Sequence, residues 1–326
     1  MTIIFTHGDS DGICSGAIAL GAYKDAYVFF TTPVSLLYDL DIAQERDCRN
    51  IIICDIAVDE KTCIQLCEKL KTISEHCKLI YIDHHPLPPA FECGEWFHHD
   101  NERCASELTY SVLSHRLDAD MRRIAIYGAI GDYKDNTPLI KNWLKDWDKR
   151  SLFFQAGLLI QSIIQAGRDY DFKRSILKPL SKDIIPSSIG NLTERAQEAS
   201  RNEEVMRKNI KNDVKSLSHL SYVIDQHSYR SKAAIYAAAY GGTSVGLAAE
   251  YRAHKDVYDI SVRTRDDVDT NRIIRKVAIK FDGSGGGHPM ASGGRIPAKY
   301  LEQFIDEFNA EISRYQHSEI YADPHV

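Results

Sequence analysis

Cysteine is confined to one end of this chain: all eight residues lie between Cys14 and Cys104, and none falls beyond. A disulfide framework would usually staple the remaining length as well, so this distribution argues against one, and no Cys-x-x-Cys spacing is present to suggest a zinc or dithiol motif. The cysteines read as reduced core or helix-face residues, Cys63 and Cys67 standing four apart in a helical pattern, with redox or soft-metal use as the alternative. Long hydrophobic runs are missing too. The opening Met1-Thr2-Ile3-Ile4-Phe5-Thr6 is far shorter than a signal-peptide core or the roughly 20 residues of a membrane span, which predicts a cytoplasmic protein with no membrane partner. A positive balance is also lacking, since 40 Lys and Arg against 46 Asp and Glu leave a formal charge of −6. No global field can hold a long nucleic-acid backbone by counterion release, so a polyanionic substrate must meet a local cationic site.

With 326 residues, 44% apolar and 26% charged, the composition is that of a folded protein with room for two domains. Short apolar runs at 2–6, 27–30, 50–54 and 79–82 are each followed by a polar or glycine-containing turn and then helical periodicity. That alternation predicts an α/β fold whose parallel sheet is covered by helices on both faces. Helices are expected at about 13–24, 60–75 and 105–117, with another near 121–130 ending at Gly131. From 140 to 180 the pattern is helical, and 192–217 is charged, free of Pro and Gly, and read as a connecting helix. Apolar stretches at 222–224, 233–236 and 257–262 are read as strands of a second, smaller α/β domain. The expected organisation is a parallel-sheet domain over 1–190, a helical linker over 191–217, the second domain over 218–316 and a tail over 317–326.

In open parallel sheets ligands gather at the carboxyl ends of the strands. The first run ends in His7-Gly8-Asp9-Ser10-Asp11-Gly12, where side chains at alternate positions point to one side and bring an imidazole and two carboxylates together. The second run ends in Asp55, the third in Asp83-His84-His85-Pro86, and Ala129-Ile130-Gly131 leads into Asp132. Each acid taken alone is also read as a helix cap or a solvated turn. Together they place five carboxylates in one small site, and like charges at that density do not all stay ionised without cations. Two divalent ions would set +4 against −5, and oxygen ligands mixed with imidazole suit Mn2+ or Mg2+ better than structural zinc.

These motifs resemble the DHH phosphoesterases, named for the Asp83-His84-His85 element, and most closely their RecJ-like branch, whose first motif is similar to His7-x-Asp9-x-Asp11-Gly12. Cys104-Ala105-Ser106-Glu107 loosely matches a Ser-Ala-x-Glu-like segment of that family. Gly285-Gly286-Gly287-His288 through Gly294 is similar to the signature of the DHH-associated carboxy-terminal domain. The resemblance implies that His7, Asp9 and Asp55 hold one ion and that Asp11, Asp55, His84 and Asp132 hold the other. It implies that Asp83 orients ligands, while His85 is assigned to the substrate phosphate, with a supporting histidine as the alternative. In the second half the family's domain grips the nucleotide, which makes Arg263 and His288 expected substrate contacts and Gly286 and Gly287 their cradle. The glycine run is expected to approach an anion closely and to lead into a helix whose free N–H groups face phosphate, with a flexible loop as the bland reading. Arg265 is read as a contact or as solvated.

The function these features imply is a two-metal phosphodiesterase or exonuclease taking nucleotides from an end of single-stranded DNA or RNA, or degrading very short oligonucleotides, in a cleft between the domains. The acidic charge favours short substrates. A small-nucleotide phosphatase or cyclic-dinucleotide phosphodiesterase is the second reading, and a non-catalytic replication-associated binding protein the third.

Overall fold

A computed structural model describes residues 1–42, 48–92, 94–225 and 229–322, in two compact units, Met1–Ser200 and Arg201–Val326. In the first, five strands, β1 (Thr2–Thr6), β2 (Tyr27–Phe30), β3 (Asn50–Cys54), β4 (Lys78–Asp83) and β5 (Phe97–His99), form an all-parallel sheet in the order β2-β1-β3-β4-β5. Its helices are α1 (Ser10–Ala22), α2 (Leu36–Asp39), α3 (Cys63–His76), α4 (Ala105–Leu113), α5 (Arg122–Gly131), α6 (Pro138–Trp143), α7 (Lys149–Ala166) and α8 (Tyr170–Leu180). Helix α9 (Leu192–Asp213) contains the boundary between the units.

Strand alternation decides which side chain serves which layer. The register aligns Ile3, Ile51 and Leu79, and likewise Phe5, Ile53 and Tyr81, and these pack with Leu36 of α2 and Leu66, Leu70 and Ile73 of α3. The intervening Ile4, Ile52 and Ile80 face the other way, onto Ala19 of α1 and Leu108 and Leu113 of α4. Burying each such isoleucine contributes about 1.5–3 kcal/mol, so a slip of one residue would be heavily penalised. The first unit therefore has the α/β architecture expected from its apolar runs, with helices on both faces; β5 carries too short a run to stand out. Helix α4 stops at Leu113 and continues as a single 3-10 turn over Ser114–Arg116.

The second unit holds a six-stranded mixed sheet, order β10-β11-β9-β8-β7-β6, built from β6 (Lys215–Ser216), β7 (Leu220–Ile224), β8 (Val245–Arg252), β9 (Val257–Thr264), β10 (Ser284–His288) and β11 (Ala291–Pro297), with helices α10 (Arg230–Gly241), α11 (Thr270–Ile279) and α12 (Leu301–Ala322). Two expectations are corrected here. Residues 233–236 are part of helix α10, not a strand: Ala233, Ala234, Ala237 and Ala238 line one helical face against Val223 and Ala248. That face lies so close to β8 that a Cβ at Gly246 would stand 1.9 Å from the Ala234 carbonyl oxygen. The glycine run does not lead into a helix. It is strand β10, paired antiparallel with β11, with Gly286 opposite Gly293 and His288 opposite Ala291.

Helix α12 extends to Ala322, through part of the stretch expected as a tail, and residues 323–326 lie outside the described residues. None of the seven described cysteines is in a disulfide, and Cys93 lies outside the described residues. Among the described residues no helix is long and apolar enough to cross a membrane.

Candidate metal centre

Strands β1, β3 and β4 end level with one another, because Thr6 pairs with Cys54 and Cys54 with Ile82. His7 and Asp55, which follow β1 and β3, and Asp83, the last residue of β4, therefore stand side by side at spacings of about 4.8 Å per strand. Beyond His7 the chain turns into α1. Asp9 caps that helix, one carboxylate oxygen accepting from Gly12 N at 2.9 Å and the other lying 2.8 Å from His7 Nδ1. The turn requires glycine at position 12, where a Cβ would stand 2.4 Å from the His7 carbonyl oxygen. Asp9's carboxylate raises the His7 pKa above its ordinary value, outweighing burial.

Asp11 points into the protein and is only 2% exposed. Its two oxygens accept from Ala105 N at 2.7 Å and Ser106 N at 3.0 Å, the first free amides of α4, where a negative charge is favoured by the helix dipole. Cys104 caps the same helix through Sγ, which accepts from Glu107 N at 3.4 Å. The Cys104-to-Glu107 segment thus builds the seat for Asp11. Glu107 anchors it, accepting from Arg103 Nε at 2.8 Å and from the Thr137 hydroxyl at 2.9 Å. On α5, a Cβ at Gly128 would lie 2.7 Å from Asp11 Oδ1 and 2.2 Å from Ser106 Oγ. Glycine there lets α5 come close enough to present Asp132 at its carboxyl end.

His84, 1% exposed, stands at the centre. Its Nε2 lies 3.3 Å from Asp55 Oδ1 and 3.8 Å from Asp11 Oδ2, and its Nδ1 lies 3.7 Å from Asp132 Oδ2. Asp55 takes a left-handed backbone, φ 58°, which aspartate tolerates better than most residues. Asp55 Oδ2 and Asp132 Oδ2 are both buried without a hydrogen-bond partner among the described residues. Burial, then the carboxylates of Asp9, Asp11, Asp83 and Asp132, push the Asp55 pKa well above the usual range. Burial, then Asp11 and Asp9, push Asp132 up to about 8. Burial lowers His84, leaving the neutral imidazole that ligates metals.

Within the first unit, ligand atoms from three triads lie within 4.8 Å of one another: His7, Asp9 and Asp55; Asp11, Asp55 and His84; Asp55, Asp83 and His85. Asp55 belongs to all three, and Asp132 reaches them through His84. A cluster of hard oxygens and imidazoles with orphaned buried oxygens fits divalent cations. Next to it, Asp83 Oδ1 lies 2.8 Å from His85 Nδ1, and its other oxygen accepts from His85 N at 3.3 Å. Burial works against the imidazolium, but Asp83 outweighs it and His85 is pushed up to about 9.

Two neighbours carry no sequence signal. Lys173 Nζ, on α8, donates to the Gly8 carbonyl at 2.5 Å, and the Tyr170 ring would lie 3.1 Å from a Cβ at Gly8. Both stand far along the chain from the loop they touch.

The other expected residues lie in the second unit. Cross-strand register sets His288, Ala291 and Arg263 in one row on neighbouring strands, with Gly286 on the same face as His288 and Gly287 on the opposite one. Arg263 donates from Nη1 to the Val262 and Ser292 carbonyls at 2.8 and 3.3 Å, and from Nη2 to the Ser231 hydroxyl. Gly287 has φ 139°, and a Cβ there would meet the Ala291 carbonyl oxygen at 2.6 Å.

A family model described as the DHH family, N-terminal domain, matches residues 1–131, and one described as the DHHA1 domain matches residues 220–314. No curated protein matches the chain. Among solved structures, RecJ from Thermus thermophilus in complex with Mn2+ is 13% identical at a TM-score of 0.70, covering 96% of this chain and 52% of that one. The chain thus spans about half the length of that RecJ, which has also been solved with Mg2+. A pGpG-specific phosphodiesterase, PggH, from Vibrio cholerae is 13% identical at 0.59, covering 97% of this chain and 100% of the other. An exopolyphosphatase-related protein from Bacteroides fragilis is 15% identical at 0.54, covering 96% and 93%. At these identities the likeness is one of fold.

Proposed function

This chain belongs to the DHH family of metal-dependent phosphoesterases, and from that premise we propose that it hydrolyses phosphodiester bonds at an end of single-stranded nucleic acid or in very short oligonucleotides, releasing mononucleotides. The observation that carries the reading is the convergence of Asp9, Asp11, Asp55 and Asp132 on His7 and His84, with two buried carboxylate oxygens left unpartnered. We assign His7, Asp9 and Asp55 to one divalent cation and Asp11, Asp55, His84 and Asp132 to a second, Mn2+ or Mg2+. What such cations supply when bound is a more acidic water and stabilisation of charge on the attacking and leaving oxygens of an in-line displacement.

The chain's own groups do the rest. Asp83 fixes the His85 ring through Nδ1, so Nε2 is the nitrogen we assign to a phosphate oxygen, where it stabilises developing charge or protonates the leaving oxygen. The α4 amides hold Asp11 in place, so that its carboxylate is set before any cation arrives. In the second unit we assign Arg263, Gly286, Gly287 and His288 to substrate binding, the guanidinium matching phosphate geometry.

The net charge of −6 supports short substrates over long strands. The fold likeness to a pGpG-specific phosphodiesterase makes dinucleotide cleavage a further reading. The test is digestion of strands from two to forty nucleotides, labelled at each end in turn, with Mn2+ or Mg2+. Release of mononucleotides, fastest on the shortest strands, is expected. Absence of cleavage at every length would overturn the assignment.

A further inference from the structure

Tyr170 is held beside the metal loop from several sides and yet the residue is 37% exposed. Gly8, between His7 and Asp9, has no side chain, and a Cβ there would stand 3.1 Å from Tyr170 Cε1, so the ring lies directly against the backbone that carries two of the assigned ligands. Phe30, the last residue of β2, supports it at 5.7 Å between ring centroids, and the Lys173 ammonium stands 5.4 Å from its centre while bonded to the Gly8 carbonyl. A ring fixed in this way by an aromatic neighbour, a cation and a bare backbone needs no ordering when a ligand arrives. Exposed aromatic faces beside a phosphate-handling centre offer a nucleobase a surface on which to stack, irrespective of which base it is.

We propose that Tyr170 is a stacking platform for the base of the nucleotide whose phosphate is being cleaved, which makes the substrate a nucleotide chain and not inorganic polyphosphate. This rests on the phosphodiesterase reading above and narrows its substrate class. Stacking on a π face does not depend on which base is presented, so sequence tolerance is expected.

The test compares wild-type full-length protein with Tyr170→Phe, Tyr170→Leu and Tyr170→Ala on an adenine dinucleotide, on the same phosphodiester with both bases removed, and on inorganic polyphosphate, all with Mn2+. Tyr170→Phe should behave as wild type. Tyr170→Leu, which keeps apolar bulk without a π face, and Tyr170→Ala should raise KM for the dinucleotide about tenfold while leaving the base-free substrate unchanged, as expected for the loss of base–aromatic stacking. Equal losses on both substrates would mean that the ring only supports the loop, and would overturn the proposal, as would no loss in Tyr170→Leu or a wild-type preference for polyphosphate. A second measurement needs no turnover: fluorescence of 2-aminopurine riboside 5′-monophosphate should be quenched by Ca2+-loaded wild-type protein and not by Tyr170→Leu. Were the wild type to cleave nothing, the phosphodiesterase reading would fall, and the quenching would still decide the role of Tyr170.

Discussion

Each unit gathers charged side chains on its sheet, and the two settle the charge in opposite ways. On the second sheet the register sets Glu250 opposite Asp259 and Asp259 opposite Arg295, and three arginines serve the two acids. Arg252 reaches Asp259 at 2.9 Å and Glu250 at 3.0 Å, Arg295 reaches Asp259 at 2.8 Å, and Arg230 contacts both acids. Burial would raise Asp259, but the hydrogen bonds from Arg295 and Arg252 hold it below the usual carboxylate range. At the ends of β1, β3 and β4 no such guanidinium partners, among the described residues, face Asp55 and Asp132, and both are driven upward. A charge cluster with its counterions built in is architecture. One whose central acids, Asp55 and Asp132, lack them gains stability from cations that arrive later.

The sharpest way to break this contrast is Asp55→Asn. The residue shared by all three triads is lost, so hydrolysis should fall by at least about a thousandfold, the scale of several kcal/mol that metal-assisted charge stabilisation supplies. The metal-free variant should melt no lower than metal-free wild type, because a buried carboxylate repelled by its neighbours has been neutralised. A large drop in the metal-free melt would show that Asp55 is paired after all. Chelation comes next. At a hundredfold excess over Kd a bound ion stabilises by about 2.7 kcal/mol, so removing it should lower the Tm of wild type by roughly 5–10 °C for a unit of this size. Asp55→Asn should lose most of that response and Asp259→Asn should keep it. A melt indifferent to chelator in wild type would put the two clusters in one class.

Gly128→Ala sharpens the comparison from the packing side. Its Cβ would press on Asp11 and Ser106, and overpacking at such a site costs about 1–3 kcal/mol. Urea unfolding should show that loss together with weaker Mn2+ binding. Intact metal affinity would mean that α5 yields without moving Asp11. In the arginine cluster, Asp259→Asn removes an acceptor from guanidiniums that are partly solvated, so about 1 kcal/mol of stability should go, with Mn2+ affinity unchanged.

What was legible in the sequence follows the same divide between local and distant causes. The alternation of Ile3 to Phe5, Ile51 to Cys54 and Leu79 to Ile82 is a property of a few consecutive residues, so sheet, helical cover and the acids at the strand ends could all be read from it. Residues 233–236 misled because an apolar Ala-Ala-Ile-Tyr stretch taken alone has no internal contrast; the longer alanine-rich run over 233–239 favours helix, and Gly246, further along the chain, lets that helix lie against the strand. The glycine run misled because its partner strand follows almost at once, from Ala291, in a segment with few branched side chains. Tyr170 and Lys173 were beyond reach, since their contact with the site runs through the backbone of Gly8.

Cys104 lies between these cases, and it leads to the smallest effect expected. Its family motif was recognisable but blurred by a thiol where a hydroxyl is usual, and the geometry explains the tolerance: the position needs an acceptor for Glu107 N, and Sγ at 3.4 Å serves. Serine is among the preferred residues at a helix N-cap. Cys104→Ser should therefore keep the α4 amides aimed at Asp11, change stability by less than about 1 kcal/mol, and leave the Mn2+ titration superimposable on wild type. Cys104→Val, of similar volume but with no acceptor, should weaken that titration. If valine were as good as serine, the cap would have no part in holding Asp11, and the two backbone bonds at 2.7 and 3.0 Å would have to suffice without it.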